Sequence, residues 1–296
     1  MSKNYDLFTD SACDRQFNKL NQDTRIIPIP VTFGTEPFSE TASTNEFYAR
    51  LASQPANTSA INPDEFITAF TPSLAAGRDI IYLSMTASLS STYQNSLIAA
   101  DELRETFPDR RIECIDSNCV SGGQALLVST LADLRRSGAS IDELINFAAN
   151  NWRNTIHLFT IDEFKYLHRS GRINLAERLA GGLVGMVPIL HLSSGCKLTK
   201  IKATRGKKAA YSELAKAIKA TILDPTGCLY LHHGACPEKV EALKAEIEKV
   251  LPDLHIIWGD YIRINSVIGA HVGPSVIAIF YFGTDRDAVQ NFLLPT

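Results

Sequence analysis

No two cysteines in this chain have the CxxC spacing of a zinc or redox site. The six of them, at 13, 114, 119, 196, 228 and 236, are scattered, and Cys114 and Cys119 lack a second pair at zinc-site spacing. In a reducing compartment they read as free thiols, mostly small core residues. Long apolar runs are missing too. The longest, residues 181–192, contains Pro188 and His191. It is about a dozen residues long, against the roughly 20 that a membrane span needs. No apolar h-region follows the ionisable start, so no secretory signal is visible. These absences predict a soluble, cytoplasmic protein.

Charge of one sign is equally scarce. Lys and Arg number 29 against 32 Asp and Glu, a net charge of −3. The basic residues are dispersed, without the footprint of a nucleic-acid binder. The GxGxxG, GxSxG and HExxH signatures do not occur, and Arg205-Gly206-Lys207-Lys208 lacks the glycine run of a phosphate loop. The basic residues Arg169, Arg172, Lys197, Lys200, Lys202, Arg205, Lys207 and Lys208 read as a solvated face.

What is present suits two medium domains: 296 residues, 45% of them hydrophobic. Short β-branched runs alternate with amphipathic helical patterns, which predicts an α/β architecture with mainly parallel sheets flanked by helices. Strands are expected at 5–8, 26–33, 80–84, 111–115, 155–160, 187–192, 228–232, 255–258 and 276–282. Helices are expected at 63–70, 92–103, 122–136, 141–150, 207–220 and 237–250. Pro28 and Pro30 mark 26–33 as an edge. A break falls near 151–160, giving domains 1–154 and 155–296 that pack without a Pro- or Ser-rich linker.

Ligands of open α/β sheets lie beyond the carboxyl ends of strands. The polar clusters placed there are Thr9-Asp10-Ser11, Thr86 to Tyr93 and Asp116-Ser117, with Gly269-Ala270-His271 before the last strand. Ser91-x-x-Gln94 reads as a capping box. That leaves Ser90 among the free N–H groups of a helix start, a cradle for carboxylate or phosphate. His271, with glycines on both sides, reads as part of a tight turn; a structural histidine bonding a loop carbonyl is an equal alternative. Thr58-Ser59, taken alone, reads as the ordinary entry to a helix.

Several separated segments together resemble the DegV-type fatty-acid-binding proteins. They are Thr9-Asp10-Ser11, Thr58-Ser59, Leu89-Ser90-Ser91-Thr92-Tyr93-Gln94, Ile115-Asp116-Ser117, and Phe164 to Leu167 with Ser170-Gly171-Arg172-Ile173. Further along come Pro188-Ile189-Leu190, Arg205-Gly206-Lys207-Lys208-Ala209, His233 with Pro237-Glu238, and Ile268 to Pro274. The resemblance implies two α/β domains with a long-chain fatty acid buried between them. The carboxylate would be held by Thr58 and Ser90 near His271. A separate dihydroxyacetone-kinase-like fatty acid kinase would then make the acyl phosphate, with Arg172 and Arg205 near the exchange or docking surface. The resemblance implies no catalytic residue, metal or cofactor in this chain, no nucleic-acid partner, and at most transient contact with a membrane. The chain departs from the family pattern at Ser91, Ala60-Ile61 and Ser275.

Physical chemistry fits such a carrier. Exposing a tail of about sixteen carbons costs roughly 0.8 kcal/mol per CH₂, over about 10 kcal/mol in all, so it must be enclosed. Leu179, Leu183, Val184, Met186, Val187, Ile189 and Leu190 are the candidate lining, most of them shared with a helix–strand core. A buried carboxylate must be bonded or protonated. Two hydroxyls and an imidazole of ordinary pKa, about 6.5, supply donors. The rival is a stand-alone hydrolase or acyltransferase with Ser90 as nucleophile and His271 as base. It has no third orienting carboxylate, and a kinase would need a phosphate loop or metal-binding acids.

Overall fold

Alternation along four strands sets the layers of the first sheet. The computed structural model describes residues 4–14, 24–39, 42–173, 185–259 and 262–294. Strands β1 (Tyr5–Asp10), β2 (Thr24–Ile27), β6 (Asp79–Ser84) and β7 (Ile112–Asp116) form an all-parallel sheet in the order β2-β1-β6-β7. Successive side chains point to opposite faces. Leu7, Ile81 and Leu83 therefore pack under helices α4 (Ser121–Arg136) and α5 (Ile141–Asn151). Phe8, Ile80 and Tyr82 pack under α2 (Pro63–Ala75) and α3 (Thr92–Thr106). Reciprocal capping boxes, Asn62 with Glu65 and Ser140 with Glu143, start α2 and α5.

The single strand expected over 26–33 is two strands in different sheets. Pro28 and Pro30 have no N–H to give a ladder, and the Ile29 N–H between them donates to Ser11 Oγ at 2.7 Å. β2 stays at the sheet edge, as the prolines predict. β3 (Val31–Phe33) pairs antiparallel with β4 (Glu36–Pro37) and β5 (Ala56–Thr58), beside helix α1 (Thr44–Leu51).

The second sheet is built from β8 (Thr155–Thr160), β9 (Met186–Leu192), β10 (Leu198–Arg205), β11 (Cys228–His233), β12 (His255–Ile257) and β13 (Ile277–Phe282). Its order is β10-β9-β8-β13-β11-β12, and only β11 with β12 runs parallel. The expectation of parallel pairing thus holds for the first sheet and not for the second. A tight turn joins β9 to β10, where Ser193 N–H donates to Lys197 O at 2.9 Å, and a connection that short permits only antiparallel strands. β10 itself went unread because Lys and Thr fill its outer positions. One face of the sheet packs on α7 (Lys207–Thr221), α8 (Pro237–Val250) and α10 (Arg286–Leu293) through Leu214, Leu243 and Val289.

The other face meets α4. Gly122 and Gly123 open that helix, buried against the second sheet. A Cβ at 122 would lie 2.3 Å from Phe280 Cδ2, and one at 123 would lie 2.0 Å from His157 Nε2. Only glycine lets a helix lie this close, so α4 belongs to both layers.

Candidate functional site

A cavity opens between the loop after β6 and the second sheet. Its wall is mainly apolar, with Met85, Leu89, Val120, Leu158, Phe159 and Phe280 contributing. Thr58, Ser90, Arg172 and His271 all lie on it. These residues span more than half the chain, and the fold brings them to one wall.

The polar end is a hydroxyl–imidazole pair. Thr58 Oγ1, at the end of β5, lies 2.8 Å from His271 Nε2. His271 does not sit in a tight turn; it is on helix α9 (Ser266–Val272), whose N-cap Asn265 accepts the Ile268 N–H at 3.0 Å. The glycine signal belongs to the helix end, where Gly273 takes φ 80°. Burial, then the positive charges of Arg172 and Arg169, push the His271 pKa down to about 4. The ring is therefore neutral at neutral pH rather than poised near 6.5. Its Nδ1 is buried and has no hydrogen-bond partner among the described residues, which leaves polar capacity unspent beside an apolar cavity.

Ser91 does not cap the helix as expected. Ser91 has φ −76° and ψ 3° and makes no side-chain cap bond, whereas a capping residue is normally extended. Ser90 Oγ instead accepts the Thr92 N–H at 3.2 Å and lies 2.9 Å from Thr92 Oγ1. Ser90 thus bonds Thr92 while His271 bonds Thr58, so the nucleophile–base contact of a hydrolase is not made. Arg172 reaches the cavity wall and donates to Ser170 O. Arg205 ends β10, exposed and off the cavity. Part of the basic face is ion-paired: Lys202 with Glu213 at 2.8 Å and Lys207 with Asp162 at 3.5 Å.

The acidic motifs after β1 and β7 are scaffold. Asp10 Oδ2 accepts the Met85 N–H at 2.8 Å and Asp116 Oδ2 accepts the Ala87 N–H at 3.1 Å. Two carboxylates thereby shape the loop that carries Ser90. Of the expected tail lining, Leu179, Leu183 and Val184 lie outside the described residues. Met186, Val187, Ile189 and Leu190 do not reach the cavity, and Ile189 and Leu190 are fully buried in core clusters. The wall is supplied instead by Ile264, Val267, Ile268 and Val272 around α9 with Ala278 and Phe280 of β13. For Ile264, Val267 and Ile268, the helical spacing ahead of His271 was the signal that could have found them. Among the described residues there is no cluster of His, Cys, Asp and Glu able to hold a metal, and no helix is long and apolar enough to cross a membrane.

Fold and site define a class: a two-domain α/β protein whose apolar cavity ends in hydroxyls and a neutral imidazole. A family model described as "Uncharacterised protein, DegV family" matches residues 4–284. A DegV domain-containing protein of Clostridium perfringens is 31% identical over 293 residues, covering 96% of this chain and 99% of the relative. The chain belongs to the DegV family. Among solved structures, a fatty-acid-binding DegV family protein from Thermus thermophilus superposes with a TM-score of 0.83 at 22% identity, covering 95% of this chain and 99% of the other. The Streptococcus pneumoniae Fatty Acid Kinase (Fak) B3 protein, loaded with linoleic acid, gives 0.78 at 22% identity, with 94% and 99% covered.

Proposed function

We propose that this protein binds one long-chain fatty acid in the cavity and presents its carboxyl group to a separate fatty acid kinase, doing no chemistry itself. The observation that carries this reading is the Thr58–His271 pair, 2.8 Å apart, on the wall of an otherwise apolar cavity. Thr58, Ser90 and His271 are the carboxylate's partners. Within the Thr58–His271 pair one hydrogen makes the pair's own bond and the other, the Thr58 O–H or the His271 N–H according to tautomer, is offered to the carboxylate, with the Ser90 hydroxyl as a second donor. The positive potential of Arg172 and Arg169 that depresses His271 also favours an anion beside it. The tail runs along the α9 and β13 side chains, between domains divided near residue 154.

Similar proteins support the acyl ligand: besides the linoleic-acid complex, a Eubacterium ventriosum protein of the same fold is described as stearic-acid-binding. The name of the Streptococcus pneumoniae protein supports the kinase partner, for which Arg172 and Arg205 are the proposed docking or exchange residues. In this reading the protein works in the cytoplasm without a cofactor. The test is native mass spectrometry of the purified protein, followed by extraction of bound lipid. A retained or reloadable fatty acid is expected; a protein that neither carries nor takes up palmitate, stearate or oleate refutes the reading.

A further inference from the structure

Asp14 is fully buried, yet its carboxylate is crowded with donors from distant parts of the chain. Oδ2 accepts Ser121 Oγ–H at 2.6 Å and lies 2.8 Å from His232 Nδ1. Oδ1 accepts the Asn265 N–H at 3.0 Å and Asn265 Nδ2–H at 2.7 Å. Serine, aspartate and histidine here do not make a hydrolytic triad. The hydroxyl and the imidazole both turn to the carboxylate, so neither activates the other.

Each partner belongs to the cavity's frame. Asn265 caps α9, the helix that carries His271, and its amide also donates to Ala12 O at 3.1 Å. Ser121 lies on the cavity wall. The His232 ring packs edge-on to Phe280, another wall residue, at 5.1 Å between centroids. Ser121 also holds φ 59°, a left-handed conformation that a non-glycine residue keeps only where its surroundings over-determine it. Those surroundings are the same residues: Ser121 N–H donates to Ala12 O at 3.1 Å, and its side chain to Asp14. A buried polar group is tolerated only where such bonds surround it.

Resting on the fatty-acid reading, we infer that Asp14 is a positioning residue for the carboxylate end of the cavity, acting through Asn265 and α9 on His271. One carboxyl group gathers the first strand's exit loop, the start of α4, β11 and the cap of α9, and thereby fixes where the imidazole stands relative to Thr58. Asn265 cannot reach both Asp14 and the Ile268 N–H unless α9 enters at this one angle.

The test is a double-mutant cycle read by binding of a fluorescent sixteen-carbon fatty acid. Asp14→Asn should weaken binding about tenfold in the otherwise native protein but less than about twofold on a His271→Gln background, since coupled residues are not additive. Asn265→Ser keeps a capping oxygen on α9 and removes the amide that reaches Asp14. It should show the same pattern, and it decides the matter if Asp14→Asn does not fold. Equal losses on both backgrounds, or no loss from either single change, overturn the inference, because a merely structural role would not depend on His271. Should the native protein bind no fatty acid, the carrier reading falls, and the lipid-free protein decides for Asp14. His271 ring resonances must then move in the Asn265→Ser variant, and unmoved resonances reject the positioning role.

Discussion

Replacing His271 by Gln should flatten part of the protein's acid sensitivity, and the structure gives the size. The imidazole moves from an ordinary 6.5 to about 4 on folding, because of burial and then the charges of Arg172 and Arg169. Between those values the unfolded chain binds the proton and the native protein does not, so stability rises with pH across the window and is lost as pH falls through it. The whole displacement corresponds to about 3 kcal/mol, of which about 2 kcal/mol is already lost by pH 5. His157 and His191 are also depressed by burial, but they are common to both proteins and cancel in the difference. The assay is urea unfolding of the lipid-free native and His271→Gln proteins at pH 7.5 and pH 5. The native protein should lose about 2 kcal/mol more than the variant. Losses that agree within about 0.5 kcal/mol would refute the claim that His271 is held neutral by its surroundings.

Thr58→Ala and Ser90→Ala should each weaken fatty-acid binding by about 1.5–3 kcal/mol, the worth of a hydrogen bond to a charged group, without unfolding the protein. Titration with a fluorescent fatty acid checks this, and unchanged affinity in both variants removes these residues from the site. Arg172→Glu and Arg205→Glu should slow acyl phosphorylation by a cognate kinase more than they reduce lipid retention, and the native rate should fall with salt; normal turnover in both variants counts against docking. Gly123→Ala should destabilise the fold by about 1–3 kcal/mol or more, since its Cβ would lie 2.0 Å from His157 Nε2. Unfolding midpoints measure this, and a neutral change would mean that α4 does not approach the second sheet so closely.

Legibility followed the length of the signal. The helix over 237–250 could be read directly because Val240, Leu243 and Ile247 repeat at helical spacing and are the residues the structure buries. The helix expected over 63–70 continues through Pro72 to Ala75: a proline this near the end forfeits little of the ladder. α9 leaves only a short helical signal, because it has seven residues, one of them Gly269. Its cap bonds Asp14, a residue 251 positions away. Thr58 and His271 are 213 residues apart, so no local pattern pairs them, and only the resemblance of several ordered segments did. The tail lining was misassigned for a related reason. An apolar run near Pro188 looks the same whether it faces a core or a cavity, and the difference is made by strands that pair later in the chain.

That order of pairing has a consequence for synthesis. The second sheet is centred on β13, the last strand of the chain, which lies between β8 and β11. Until residues 277–282 leave the ribosome, those two strands have no shared neighbour, and the glycine face of α4 has neither Phe280 nor a completed sheet to cover it. Domains usually fold as units in the order in which they emerge, but here one face of α4 packs on the first sheet while Gly122 and Gly123 need β13 and β8 of the second. A chain stopped before residue 277 would lack the strand that covers Gly122 at the start of α4. The strand that covers Gly122 is also the one that places Phe280 on the cavity wall, so a fault in β13 would open the fold and the binding chamber together.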